Sequence, residues 1–464
     1  MRPKMKVQMT TFDHEFLSMA HLFSEDPELA KISAALDEAP EILEAVARDL
    51  QAGLAETGAE GMAVEQVLRS ALLYQLRCDS YRELADRLGS DYHFRRFTRF
   101  YGRPIPHFTN LEKAIKRIRP ETWERLNELA VRLAIKKKLE DGQKVRGDTT
   151  VAETNIHYPT DASLLWDGVR VLDRLMGGAR VELPQCRFEY HRRTRRVKKL
   201  AYRIAMAKGK NAEQVRRECL RDLLTAAGEV AAMARSCREA LGKALDDKAL
   251  DFDKENCALF IKSELEQYLP RAEQCLRQCE RRVKAGEKVP AAEKIVSIFE
   301  PHTDIICRGK TMSPAEFGHK VLAATGASGL VLQYEVCAGN PPDYDFFAAM
   351  LQKHVAQFGQ APREFTADRR FYHAENERLA AESYGVARLA IPKPGRRSAE
   401  LIALEKQRWF KNLLRFRAGI EGNLSTLLRC FGLGRCLWRG LSSFKAWVGL
   451  SFFAWNLKKI AALT

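Results

Sequence analysis

Through the first 137 residues apolar positions recur at three- and four-residue spacing, and no alternating run is long enough for a strand, so this stretch reads as all-helical. Ser80 and Glu83 form a capping box ahead of a short helix that stops at Gly89, and Thr109 with Glu112 repeats the pattern for another helix. The period changes over 143–151, where a strand at 144–146 leads to Asp148, and a polar loop follows through Asn155, His157, Pro159 and Asp161. From 162 to 287 the chain turns helical again, with long amphipathic segments at 212–245 and 254–283 dense in Arg, Lys and Glu. These predict an inserted hairpin or bundle. After Pro290 strand signals come in series, at 294–299, 303–307, 329–336, 364–367 and 385–391. Gly- and Pro-rich breaks at 339–342 and 392–395, and helical stretches such as 344–358, separate them. That alternation is an α/β layer order.

Composition adds a partner class. The 464 residues suffice for several packed units, and 46% apolar with 29% charged residues fits a cored protein and excludes a disordered or collagen-like one. Lys and Arg outnumber Asp and Glu by 76 to 60, a formal +16 that favours a polyanion, nucleic acid first. Two stretches concentrate this charge. In 93–100, Phe94, Phe97 and Phe100 can anchor a segment whose Arg95, Arg96 and Arg99 face phosphates. A helix-turn-helix-like unit and a solvated helical face are both compatible with it. In 187–203, Arg192, Arg193, Arg195 and Arg196 stand among Phe188, Tyr190, His191 and Tyr202 and could follow a phosphate backbone; a solvent-facing basic helix is the alternative.

The longest near-apolar run, 446–457, is too short to span a membrane, and the basic, polar start of the chain does not resemble a secretory signal. A cytoplasmic location, with no membrane partner, is therefore expected. Eleven scattered cysteines without a CxxC pair read as reduced, mostly buried thiols.

Three acids stand apart by context. Asp148 and Asp368 each follow a strand signal, so adjacent strands would set their carboxylates side by side. Glu421 lies at the edge of a helical stripe formed by Leu413, Phe416, Ile420, Leu424, Leu427 and Phe431, which would pack on the sheet. Asp and Glu oxygens suit Mg²⁺ or Mn²⁺, and a pair of such ions can serve an in-line displacement at a phosphodiester. Arg417 stands one helical turn before Glu421 and either contacts phosphate or holds the carboxylate. His157 either approaches DNA or is a satisfied loop histidine, and Trp409 and Phe410 either stack on a base or pack in a core.

The phrase 145–150 (VRGDTT) with 153–161 (ETNIHYPTD) resembles the first acidic motif of bacterial insertion-sequence DDE transposases. The phrase 366–372 (TADRRFY) is similar to their second, and 417–422 (RAGIEG), followed by 431–433, 447–449 and 456–457, to their third. The N-terminal helical part resembles the N-terminal domain of InsH-type transposases. The resemblance implies an α/β fold: a ribonuclease-H-like mixed-sheet core, an all-α DNA-binding domain before it and a long helical insertion after the first core strand. Its divisions would be 1–137 for the DNA-binding domain, 138–161 for the start of the core, 162–289 for the insertion and 290–464 for the remainder.

The resemblance further implies that Asp148, Asp368 and Glu421 bind two Mg²⁺ or Mn²⁺ ions and catalyse cleavage and strand transfer. The partner it implies is double-stranded DNA, both transposon ends and target, held by a homodimer. Two positions depart from the family pattern. Arg370 stands where glycine is usual, and Leu428 stands seven residues after Glu421, where lysine is usual; Arg429 is the nearest cation. A DNA-binding relative that has lost catalysis, or a nuclease without strand transfer, are the alternative readings.

Overall fold

The computed structural model describes residues 2–55, 57, 61–248, 250–307, 315–395 and 398–464. The chain forms two compact units, one from Met1–Asn155 with Gly318–Thr464, the other Ile156–Phe317.

The first unit opens with eight helices: α1 (Thr11–Ser18), α2 (Pro27–Asp37), α3 (Pro40–Gln51), α4 (Val64–Arg77), α5 (Tyr81–Ser90), α6 (Tyr92–Thr98), α7 (Phe108–Ile115) and α8 (Pro120–Lys136). The capping box at Ser80 is formed, with the Ser80 N–H donating to Glu83 Oε2 at 2.7 Å and the Glu83 N–H to Ser80 Oγ at 3.2 Å. The box expected at Thr109 is not. Helix α7 begins one residue before it, and His107 is the cap residue.

Strand β1 (Lys144–Glu153) follows and is longer than the sequence suggests. It leads into the second unit, which holds α9 (Asp161–Glu182), α10 (Thr194–Met206), α11 (Ala212–Asp246), α12 (Phe252–Ala285) and the short strand β2 (Asp304–Ile306). In α11 the buried residues Leu223, Ala227, Val230, Ala234, Cys237 and Leu241 alternate steps of four and three, and Ala258, Ile261 and Leu265 begin the same alternation on α12. Those stripes pack the long helices as a coiled-coil-like pair against α9. The strand expected at 294–299 is absent. Ile295, Val296 and Ile298 are buried there in irregular backbone. Side chains of α12 take over the pairing a strand would have made, with Gln278 bonding both the N–H and the carbonyl of Ile295 and Arg271 donating to the Ile298 carbonyl.

The chain re-enters the first unit on β3 (Glu316–Thr325) and continues through β4 (Val331–Val336), α13 (Phe347–Phe358), β5 (Glu364–Ala367), α14 (Ala374–Arg378), β6 (Arg388–Ala390), α15 (Ala399–Lys406), α16 (Arg408–Cys430) and α17 (Leu441–Leu463). Among the described residues, five strands of this unit make a mixed sheet in the order β4-β3-β1-β5-β6. Strand β3 runs antiparallel to both β1 and β4, whereas β1, β5 and β6 are parallel. Strand β3 carries no alternating signal in the sequence, because from Gly318 onward it is buried on both faces.

Every residue of the apolar run 446–457 is buried in α17, which packs against α2, α4, α8 and β4. A helix enclosed on all sides is apolar all round. No helix among the described residues is long and apolar enough to cross a membrane. All eleven cysteines are free thiols, seven of them buried.

Candidate active site

Strands β1 and β5 set two of the predicted acids together. Their parallel register pairs Gly147 with Ala367, so Asp148 and Asp368 are the next residues on neighbouring chains. Here β5 ends while β1 continues, paired with β3 as Asp148 to Ala323. Asp148 therefore lies within a strand and not at its end, which corrects the sequence reading. The antiparallel partner that extends β1 is the strand the sequence did not reveal.

Helix α16 brings the third acid. Leu413, Ile420, Leu424 and Leu427 are buried, and the helix packs on β1, β5 and β6 as its stripe predicts. Arg417 on this helix joins two acids: its Nη2 lies 2.8 Å from Glu421 Oε1 and its Nη1 4.0 Å from Asp148 Oδ2. The Asp148 side chain is 17% exposed and that of Glu421 63%. Burial pushes the Asp148 carboxyl up to about 6, against the pull of the Thr149 N–H, which donates to it at 2.7 Å, and of Arg417. The charges of Asp368 and Asp343 push it further in the same direction. Among the described residues, no three His, Cys, Asp or Glu side chains form a ready-made metal cage.

Three buried charges near these acids were not legible in the sequence. Asp343 accepts from Thr149 Oγ1 at 3.2 Å and from Lys320 Nζ at 2.8 Å, and Lys320 also donates to the Pro341 carbonyl at 2.5 Å. Arg146 is buried two residues before Asp148. The only sequence signal for Asp343 was its position after the Pro341-Pro342 break.

The arginines proposed from sequence divide by surroundings. Phe94, Phe97 and Phe100 are buried as expected, but Arg95 turns inward. It donates to the carbonyls of Tyr101 and Arg103, each at 2.6 Å, and of Leu88 at 3.3 Å. The turn after α6 carries left-handed backbone at Arg99 (φ 62°) and Tyr101 (φ 47°), and its carbonyls need those donors. Arg99 is likewise engaged, with Asp37 at 2.9 Å and with Ser33 and Tyr101. Arg96 is the outward one, its side chain 42% exposed and 3.9 Å from Glu25 Oε1. In the second unit, Arg192, Arg195 and Arg196 are exposed, whereas Arg193 pairs with Glu229 at 3.0 Å.

Arg429 is exposed on α16 and bonds Ser425. Leu428 is partly buried against the main core, and Arg370 is exposed. His157 is a satisfied loop residue, its Nε2 2.7 Å from Asp167 Oδ2. Phe410 is buried with Leu413 and Ala390, and the partly buried Trp409 packs on that cluster.

Two family models match the chain. The Transposase DDE domain matches residues 302–457, a span that includes Asp368 and Glu421. The Transposase domain (DUF772) matches residues 17–117, within the N-terminal helices. Asp148 lies between the two spans. No curated protein and no solved structure matches the sequence. Two transposase models in one chain, with two of the three converging acids inside the DDE match, show that it belongs to the insertion-sequence DDE transposases.

Proposed function

We propose that this transposase binds the ends of its element as a homodimer and catalyses divalent-metal-dependent phosphodiester cleavage and strand transfer, with Asp148, Asp368 and Glu421 as the catalytic acids. The observation that carries the reading is the register of β1 on β5, with Arg417 reaching from Asp148 to Glu421. The donor set fits Mg²⁺ or Mn²⁺: the ligands are all carboxylate oxygens, and a bound cation would favour the charged form of Asp148, which burial and then the neighbouring charges of Asp368 and Asp343 oppose. Two such ions, once bound, would supply charge stabilisation for the attacking and leaving oxygens.

The chain's own residues do the rest. Asp148 and Asp368 hold the site on a rigid sheet, Glu421, exposed on α16, would complete the carboxylate set, and Arg417 between Asp148 and Glu421 would meet a substrate phosphate. Hydrolysis breaks one P–O bond and leaves a 3′-hydroxyl. That hydroxyl then displaces a 3′-oxygen in target DNA, exchanging one phosphodiester for another. Arg96, Arg192, Arg195, Arg196 and Arg429 are the exposed cations proposed to hold DNA, while Arg95, Arg99 and Arg193 support the backbone and side chains that carry them. The mixed sheet with helices on it supports a ribonuclease-H-like core.

The test uses plasmid DNA carrying the sequences that flank the coding region. Asp148→Ala, Asp368→Ala and Glu421→Ala should each abolish Mg²⁺-dependent cleavage and leave DNA binding intact; full cleavage by these variants contradicts the assignment. Binding by the parent protein without cleavage in Mg²⁺ or Mn²⁺ would identify a relative that has lost catalysis. Cleavage without joining of a pre-cut end would identify a nuclease.

A further inference from the structure

Lys144, Arg146 and Asp148 alternate along β1, so all three side chains emerge on one face, the face that meets α16. The Lys144 Nζ and the Arg146 guanidinium lie over the Phe416 ring, 4.8 and 4.5 Å from its centroid. Arg146 ties three elements together. Its Nε donates to Thr325 Oγ1 on β3 at 2.9 Å, and its Nη1 donates to the Phe416 carbonyl on α16 at 2.5 Å. The guanidinium passes so close to Gly419 that a Cβ at that position would collide with Nη1.

Gly419 is exposed in the interior of a 23-residue helix, where alanine ordinarily favours the helix. A Cβ at Gly422, on the same helix, would meet nothing within 4 Å. The approach of Arg146 therefore demands glycine at 419 and makes no such demand at 422. An arginine side chain can often swing aside, but this one is buried and held at both ends of its guanidinium.

We propose that Arg146, seated against Gly419, is a positioning residue that fixes the rotation and height of α16 on β1 and thereby delivers Arg417 and Glu421 to Asp148. The proposal rests on the reading of Asp148, Asp368 and Glu421 as the metal-holding acids. Arg417 follows immediately on the carbonyl that Arg146 grips, and Glu421 lies one turn further. A slip of α16 would therefore displace both relative to Asp148.

The experiment compares full-length Gly419→Ala, Gly422→Ala, Arg146→Met, the Arg146→Met/Gly419→Ala double variant and Asp368→Asn. Three quantities are read: Mn²⁺ affinity by electron paramagnetic resonance, the single-turnover rate of nicking at saturating flanking DNA with Mg²⁺, and DNA affinity by anisotropy. Gly419→Ala should lose about a hundredfold in rate and weaken Mn²⁺ binding with DNA affinity unchanged, since misplacement on the scale of an ångström costs that much. Gly422→Ala should match the parent protein. In the Arg146→Met background, Gly419→Ala should cost nothing further, because the group it strikes is gone.

A Gly419→Ala protein that behaves as Gly422→Ala does, or losses that simply multiply in the double variant, overturns the positioning role. Should Arg146→Met fail to fold, the comparison of the two glycine variants decides alone. Asp368→Asn reports separately on the underlying assignment: retained nicking and Mn²⁺ affinity would overturn the metal site itself, whatever the glycine variants do.

Discussion

Burial, with the charges of Asp368 and Asp343, holds the Asp148 carboxyl near 6, about two units above an ordinary aspartate. Below pH ~4 the group is protonated whether the chain is folded or not, and it costs nothing. Between about pH 4 and 6 the unfolded chain ionises more readily, so stability falls as pH rises, by roughly 3 kcal/mol in all, and stays reduced above that window. Urea unfolding without divalent ions should therefore show Asp148→Asn gaining on the parent protein from pH 4.5 to pH 7; a constant difference would refute the shift. The places of the three acids in the fold were legible, because each sits beside a recognisable strand or stripe. Arg146, Lys320 and Asp343 were not, since their partners lie 179 and 23 residues away in sequence and a charged residue with no partner near it in the chain reads as surface.

At the scale of elements, periodicity served helices better than strands. The 34- and 35-residue helices of the second unit and the stripe of α16 follow directly from their spacing. Strand β3 was invisible because full burial erases alternation, and 294–299 was misread because apolar residues without a partner strand can be buried through side-chain hydrogen bonds instead. Helix α17 shows what sequence patterning leaves out. Its buried Asn456 accepts from the Val331 N–H at 2.8 Å and donates to the Val331 carbonyl and to Asn127 Oδ1, each at 2.8 Å, linking α17 to β4 and α8. Asn456→Leu strands these groups and should cost about 3 kcal/mol in urea unfolding. A loss below 1 kcal/mol would show that the network relaxes around the change.

For the whole molecule, the surplus of positive charge predicts DNA binding that weakens with salt. Replacing the exposed Arg192, Arg195 and Arg196 with Gln should make the slope of log K against log salt shallower by about 2 to 3. Arg95→Gln should leave that slope unchanged while lowering the melting temperature, because its guanidinium serves internal carbonyls. An equal change of slope for both would contradict the division drawn between the two sets.

The most direct test of the central claim is Mn²⁺ binding to the full-length protein, followed by electron paramagnetic resonance. Binding by the parent protein that is lost in Asp148→Asn and Asp368→Asn and weakened in Glu421→Gln is the expected result. Unchanged Mn²⁺ affinity in the two aspartate variants would contradict it.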